Sequence, residues 1–256
     1  MNTARLRGEG SLPDVRALAI GRQVNRLMGR AICHYGLIND RDRIAVGLSG
    51  GKDSLCLLWM LAERRRRAPV DYALVALHVD LGWGQDATPL EAFCRRLGVE
   101  FVLLPTDIGE RAHGPGNTES PCFLCARLRR KRLFEAASSH RCNRLALGHH
   151  RDDIIQTFFL NVIYSSEIST MLPAQELFGG RLTLIRPLAL CDEAQLARLA
   201  RELGLPVLPS GCPSACKSAR REMAALLEPL FRRNRRLKGN VFRALSNVRP
   251  EYLPPR

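Results

Sequence analysis

The hexapeptide Ser49-Gly50-Gly51-Lys52-Asp53-Ser54 restricts the fold of this chain more than any other stretch. An apolar run at 44–48 precedes it, and a helical pattern follows to about residue 66. Paired glycines between a buried strand and a helix let successive backbone N–H groups and the helix N-terminus face one point, which suits an anion. Ser49 and Ser54 add hydroxyl donors, and Lys52 adds a point charge suited to phosphate. The spacing of a Walker A loop is absent. An ordinary strand–helix turn would need the glycines but not the whole hexapeptide.

The same alternation continues along the chain. Residues 72–79 form an unbroken apolar run closed by Asp80, as expected of a strand buried on both faces. Residues 100–104, 144–147 and 182–185 read as further strands. Helical repeats occupy about 13–37, 89–97, 122–138 and 152–164, and residues 105–121 and 206–213 read as loops. This order predicts an α/β fold: a Rossmann-like parallel sheet of about five strands with helices on both faces, an N-terminal helix and a C-terminal helical extension. No apolar run approaches the ~20 residues that span a bilayer, and the N-terminus lacks a secretory signal. A cytoplasmic protein with no membrane partner is expected.

A formal net charge of +14 directs attention to a polyanionic partner. The charge is clustered at 64–67, 127–132, 220–221 and 232–238, and no amphipathic anchor with aromatic residues accompanies it. Nucleic acid is therefore favoured over a membrane surface. Nine cysteines, an odd number, argue against a disulfide framework. Cys33, Cys56, Cys94, Cys142 and Cys191 lie in apolar periodic segments and read as small core residues. Cys122, Cys125, Cys212 and Cys216 remain, with spacings that suggest metal. Thiolates are soft ligands that accept zinc or iron–sulfur clusters, and spacing alone does not separate the two. A thioredoxin-like redox pair fits less well, because five basic residues crowd the helix after Cys122.

The SGGKDS sequence resembles the signature of the PP-loop ATP pyrophosphatases. Leu77-His78-Val79-Asp80 is similar to the end of that family's second strand, and Gly148-His149-His150-Arg151-Asp152-Asp153 to its GHxxDD segment. The resemblance implies a PP-loop domain over 43–205, between an N-terminal helical segment (1–42) and a C-terminal extension (206–256). It further implies ATP bound by residues 49–54 with His78, Asp80, Gly148, His149 and Asp152. Lys52, Asp53 and Asp153 would be catalytic, with Asp153 also toward Mg2+. A carboxylate pair beside a triphosphate is tolerable with a hard cation between them. Asp152 and Asp153 would also serve as caps of the helix they open.

Further segments narrow the branch: SPCFLCARLRRKRLFEAA, GHHRDDIIQTFFLN, LIRPLA followed by Glu193, and NVRPEYL. Together they resemble the tRNA 2-thiocytidine synthetase (TtcA) family, from about residue 15 to 253. That resemblance implies a 4Fe-4S cluster on Cys122, Cys125 and Cys212, with Cys216 as a possible fourth ligand. It implies a tRNA partner, cytidine 32 of the anticodon loop as target, and a sulfur donor such as a cysteine desulfurase or free sulfide. A homodimer is compatible. Alternatives are 2-thiouridine synthesis by the same chemistry, a small-molecule PP-loop enzyme, and a zinc-stapled RNA-binding module without turnover. Tyr164, Phe231 and Tyr252 are conceivable base-stacking groups, with core packing the better reading for each.

Overall fold

The computed structural model describes residues 14–209, 211–214 and 219–254. Strands β1 (Asp42–Gly47), β2 (Tyr72–Asp80), β3 (Glu100–Pro105), β4 (Arg144–Ala146), β5 (Ala174–Leu177) and β6 (Leu182–Ile185) form one sheet in the order β3-β2-β1-β4-β6-β5. All neighbours pair in parallel except β5, which lies antiparallel on β6. The expected α/β fold is present, with six strands instead of about five. The additional strand, Ala-Gln-Glu-Leu, sits at the sheet edge and buries none of its residues fully. An edge strand of this kind carries no apolar run for a sequence pattern to register.

Period-two alternation along the central strands divides the core. Ile44, Val46, Leu74 and Ala76 face a layer that includes Val24, Met28, Trp59 and Leu196. Ala45, Val75, Leu77 and Val79 face the opposite layer with Leu133, Ala136 and Ala137. The first layer is built by α1 (Ala19–Tyr35), α2 (Lys52–Arg65), α3 (Thr88–Leu97) and α7 (Glu193–Leu203). The second rests on α5 (Pro121–Ser139). Every residue of α2 from Ser54 to Glu63 is buried, and each fully buried Leu there contributes about 1.5–3 kcal/mol. Its apolar residues encircle the helix, as expected when neighbours cover it on all sides.

The expected loop at 105–121 contains a short helix, α4 (Ile108–His113). Helix α6 (Arg151–Leu160) passes into a π-helical turn at Asn161–Ser165. The C-terminal helices α8 (Ala219–Arg233) and α9 (Arg235–Ala244) fold back onto α6. There Ile155, Met223 and Leu227 form a small apolar cluster with Phe159, Phe231 and Phe242. Phe231 is thus a packing residue, while Tyr164 and Tyr252 stand exposed. Among the described residues no helix is long and apolar enough to cross a membrane.

Candidate active site

The strand order reverses between β1 and β4, and a crevice opens at the carboxyl ends of strands at such a switch point. A cavity of about 340 Å³ lies there, walled by Gly47–Ser49 after β1, Leu77–Val79 of β2 and Gly148–His149 after β4. Gly50 adopts φ +79, a conformation open to glycine at little cost, and turns the chain into α2. Ser54 Oγ accepts from the Ser49 N–H at 3.1 Å and donates to the Gly51 carbonyl at 2.9 Å. Among the described residues no side chain caps α2, so its first-turn N–H groups are available to an anion.

Lys52 Nζ lies 3.0 Å from Asp53 Oδ2 and 3.0 Å from Glu193 Oε1. Burial pulls the Lys52 pKa down, but these two carboxylates outweigh it and hold the pKa above its ordinary value. Asp53 is pushed up, chiefly by burial, against the favourable charges of His150 and Lys52. Its Oδ1 is buried without a hydrogen-bond partner, and the nearby Asp153 charge raises it further. An orphaned carboxylate oxygen facing a second carboxylate fits a hard divalent cation. Among the described residues no group of three His, Cys, Asp or Glu stands ready to enclose an ion, so phosphate or water oxygens would complete its shell.

The two adjacent acids diverge. Asp153 lines the cavity, where its Oδ2 accepts from the His150 N–H at 3.0 Å and its Oδ1 meets Arg220 at 3.4 Å. Asp152 turns to the other side of α6, where it accepts from the Glu193 N–H at 2.9 Å and pairs with Lys238. Gly148 is required by packing: a Cβ there would stand 2.9 Å from the Ser54 nitrogen and 3.0 Å from the Asp53 carbonyl carbon. His149 Nδ1 accepts from Arg186 Nε at 3.2 Å. Burial first, then Arg186, Arg220 and Arg129, push its pKa down to about 3. The ring is therefore neutral and keeps Nε2–H as its donor. His78 is buried and donates from Nδ1 to the Leu48 carbonyl at 2.7 Å, tying β2 to the phosphate loop. Asp80 is not part of the cavity wall; its Oδ1 accepts from the Gly82 N–H.

The cysteine helix forms the opposite wall. Ala126, Arg129, Arg130 and Leu133 of α5 line the cavity, one residue beyond Cys125. Cys122 is exposed, while Cys125 and Cys212 are half-buried. Burial raises the Cys125 pKa, Arg129 opposes this, and Cys212 and Cys122 are near enough to raise it further. The fold thus brings thiols that lie up to 90 residues apart in sequence within electrostatic reach of Cys125, while among the described residues they do not form a ready-made metal site. Cys216 lies outside the described residues. The loop before Cys212 is anchored at two points: the Leu208 N–H donates to the Gly50 carbonyl at 3.0 Å, and Gly211 packs against Trp83. Beyond it, His113 Nε2 and Ser214 Oγ lie 2.9 Å apart. Of the five cysteines read as core residues, Cys33 is exposed, and the other four are buried.

The basic clusters divide as well. Arg64 bonds Asn25 and Arg67 bonds Asp14, at the end of α2 about 20 Å from the phosphate loop. That cluster ties α2 to α1 and to the segment before it. Arg129 and Arg130 of α5 and Arg220 of α8 line the cavity. Two contributors were not singled out as site residues in the sequence: Lys238 and Arg220 reach the acidic pair from helices far along the chain. No local motif marks either one.

Residues 18–207 match the family model of the PP-loop domain, the class that this sheet and phosphate loop define. The chain is 41% identical to the tRNA-cytidine(32) 2-sulfurtransferase of Geobacter sulfurreducens, over 91% of its own length and 92% of that protein. It is 42% identical to the Geotalea daltonii protein of the same name, over 92% of this chain and 95% of the other. The chain belongs to the tRNA-cytidine(32) 2-sulfurtransferase family. In fold it resembles the U34-tRNA thiolase NcsA from Methanococcus maripaludis, solved with its 4Fe-4S cluster, with a TM-score of 0.72 at 23% identity, covering 98% of this chain and 87% of that one.

Proposed function

We propose that this protein replaces the C2 oxygen of cytidine 32 in tRNA with sulfur, at the expense of ATP. One observation supports this reading above others: a single helix, α5, carries two of the three candidate cluster thiols and also walls the phosphate-loop cavity. Activation and sulfur delivery would then share one space.

ATP would lie across the strand ends, its phosphates on the free N–H groups of α2 and on Lys52. Asp53 and Asp153 would hold Mg2+, which neutralises phosphate charge when bound. The C2 oxygen of the base attacks the α phosphorus, the bond to the β-phosphate oxygen breaks, and pyrophosphate leaves. Lys52 and the loop N–H groups stabilise charge as it develops. A sulfur nucleophile then adds at C2, and the oxygen departs with AMP. Neutral His149 can donate a hydrogen bond at the cavity wall without adding charge. Ser49, Gly50, Gly51 and Ser54 shape the loop, Gly148 admits the close approach of α2, and His78 fixes the loop to β2. Asp152 supports the α6–α7 contact, and Asp80 braces the turn after β2.

Cys122, Cys125 and Cys212 would hold a 4Fe-4S cluster, which supplies an iron able to bind sulfur; Cys216 is the candidate fourth ligand. Soft thiolates suit it, and Cys122 and Cys212 lie within electrostatic reach of Cys125. A cysteine desulfurase or free sulfide would supply the sulfur, in the cytoplasm, and the protein could act as a homodimer. The proposed division assigns 43–205 to ATP, 1–42 to scaffold, and 206–256 to completion of the thiol site.

Nucleoside mass spectrometry of tRNA from cells with and without the protein tests this reading. Loss of 2-thiocytidine alone is the expected result. Loss of a 2-thiouridine instead would redirect the assignment, and an unchanged profile would reject thiolation.

A further inference from the structure

A second concavity, a groove of about 690 Å³, lies on the outer side of α5. Its floor is an aromatic pair: Phe134 on α5 and Phe178 in the β5–β6 turn meet edge to face, with ring centroids 5.5 Å apart. Four cations surround them, Arg127, Arg130, Lys131 and Arg181, against one carboxylate, Glu135. Arg130 lines both this groove and the phosphate-loop cavity, so the two are neighbours along one helix face.

Phe178 is held there against its backbone preference. It sits at φ +54, followed by Gly179 at +67, in a turn closed by the Gly180 N–H to the Leu177 carbonyl at 3.2 Å. Positive φ at both central positions suits Asn or Gly, and a bulky aromatic at the first is a genuine outlier. Yet the residue remains 54% exposed, so burial does not account for the choice. An exposed aromatic kept at a strained position, ringed by cations, is what an unstacked nucleobase and its flanking phosphates would require.

We propose that Phe178 and Phe134 form a stacking platform for an unpaired RNA nucleotide beside the base that reacts, with Arg127, Arg130, Lys131 and Arg181 on the adjoining phosphates. The proposal rests on the tRNA reading above and assigns part of the RNA's path across the protein.

The test measures affinity of the full protein for the unmodified tRNA anticodon stem–loop by fluorescence anisotropy, beside ATP affinity and 2-thiocytidine formation. Phe178→Ala and Phe178→Leu should each weaken RNA binding about tenfold, the scale of one lost base–aromatic stack, with ATP affinity unchanged. Phe178→Tyr should retain binding. Phe178→Gly should raise the melting temperature by removing the strain and still weaken RNA binding, which a merely structural role would not produce. Wild-type affinity in the Ala and Leu variants would overturn the platform and leave the thiolation reading intact. Unchanged RNA binding with impaired transfer from a protein sulfur donor would give the groove to a protein and also overturn it. A wild-type protein that neither binds the stem–loop nor forms 2-thiocytidine would reject both.

Discussion

The Lys238 ammonium of α9 lies 2.5 Å from Asp152 Oδ1 and 3.8 Å from Asp192 Oδ1. This contact joins the C-terminal extension to the segment that opens α6, across 86 residues of sequence. Both partners are largely shielded from water, so the pair is worth more than an exposed one.

Lys238→Met should leave Asp152 with an unpaired, largely buried charge. The expected cost is about 1–3 kcal/mol, read as a lower urea midpoint with an unchanged slope. A midpoint equal to that of the wild type would show that the extension is held by its apolar cluster alone.

His149 makes stability depend on pH in a defined window. Its folded pKa, about 3, lies below the ordinary 6.5, so the neutral ring is the form that folds. Below pH 6.5 the unfolded chain takes up a proton that the folded chain refuses. Stability is therefore fully present above that value and falls as pH drops toward 3, by up to about 1.4 kcal/mol per unit. His149→Gln should flatten this slope in urea unfolding at pH 7, 6 and 5; parallel profiles for the two proteins would refute the assignment.

Gly148→Ala should damage the ATP site through packing alone. The added Cβ would meet backbone atoms of Asp53 and Ser54, which cannot rotate away. A stability loss of about 1–3 kcal/mol and loss of ATP binding by calorimetry are expected. Normal ATP affinity would mean that the first turn of α2 yields more readily than its burial suggests.

The thiol site separates by ligand. Cys122→Ser, Cys125→Ser and Cys212→Ser should each lose iron, acid-labile sulfide and brown colour in anaerobically purified protein. Cys216→Ser should keep all three if three thiolates suffice. Stoichiometric zinc without iron in the parent protein would replace the cluster with a structural zinc site.

The sheet is legible in the sequence where strands are buried on both faces, as at 72–79, because a short unbroken apolar run between turns matches a segment that meets no water on either side. The edge strand β5 is concealed, since its residues are half solvated. The phosphate loop is legible because its glycines, lysine and serines are consecutive. Lys238 and Arg220 are not, since their roles come from the return of α8 and α9 to α6, a tertiary event without local pattern. The different orientations of Asp152 and Asp153 are equally hidden, as adjacent helical residues point about 100° apart and only packing decides which faces the cavity.

The hydrogen bond from Leu208 to Gly50 has a mechanical consequence. Cys212 follows four residues later in the sequence, so the phosphate loop and the segment leading to the third thiol share one hydrogen-bonded anchor. The proposed ATP and thiol sites would thus be coupled mechanically through the Leu208 amide as well as through α5.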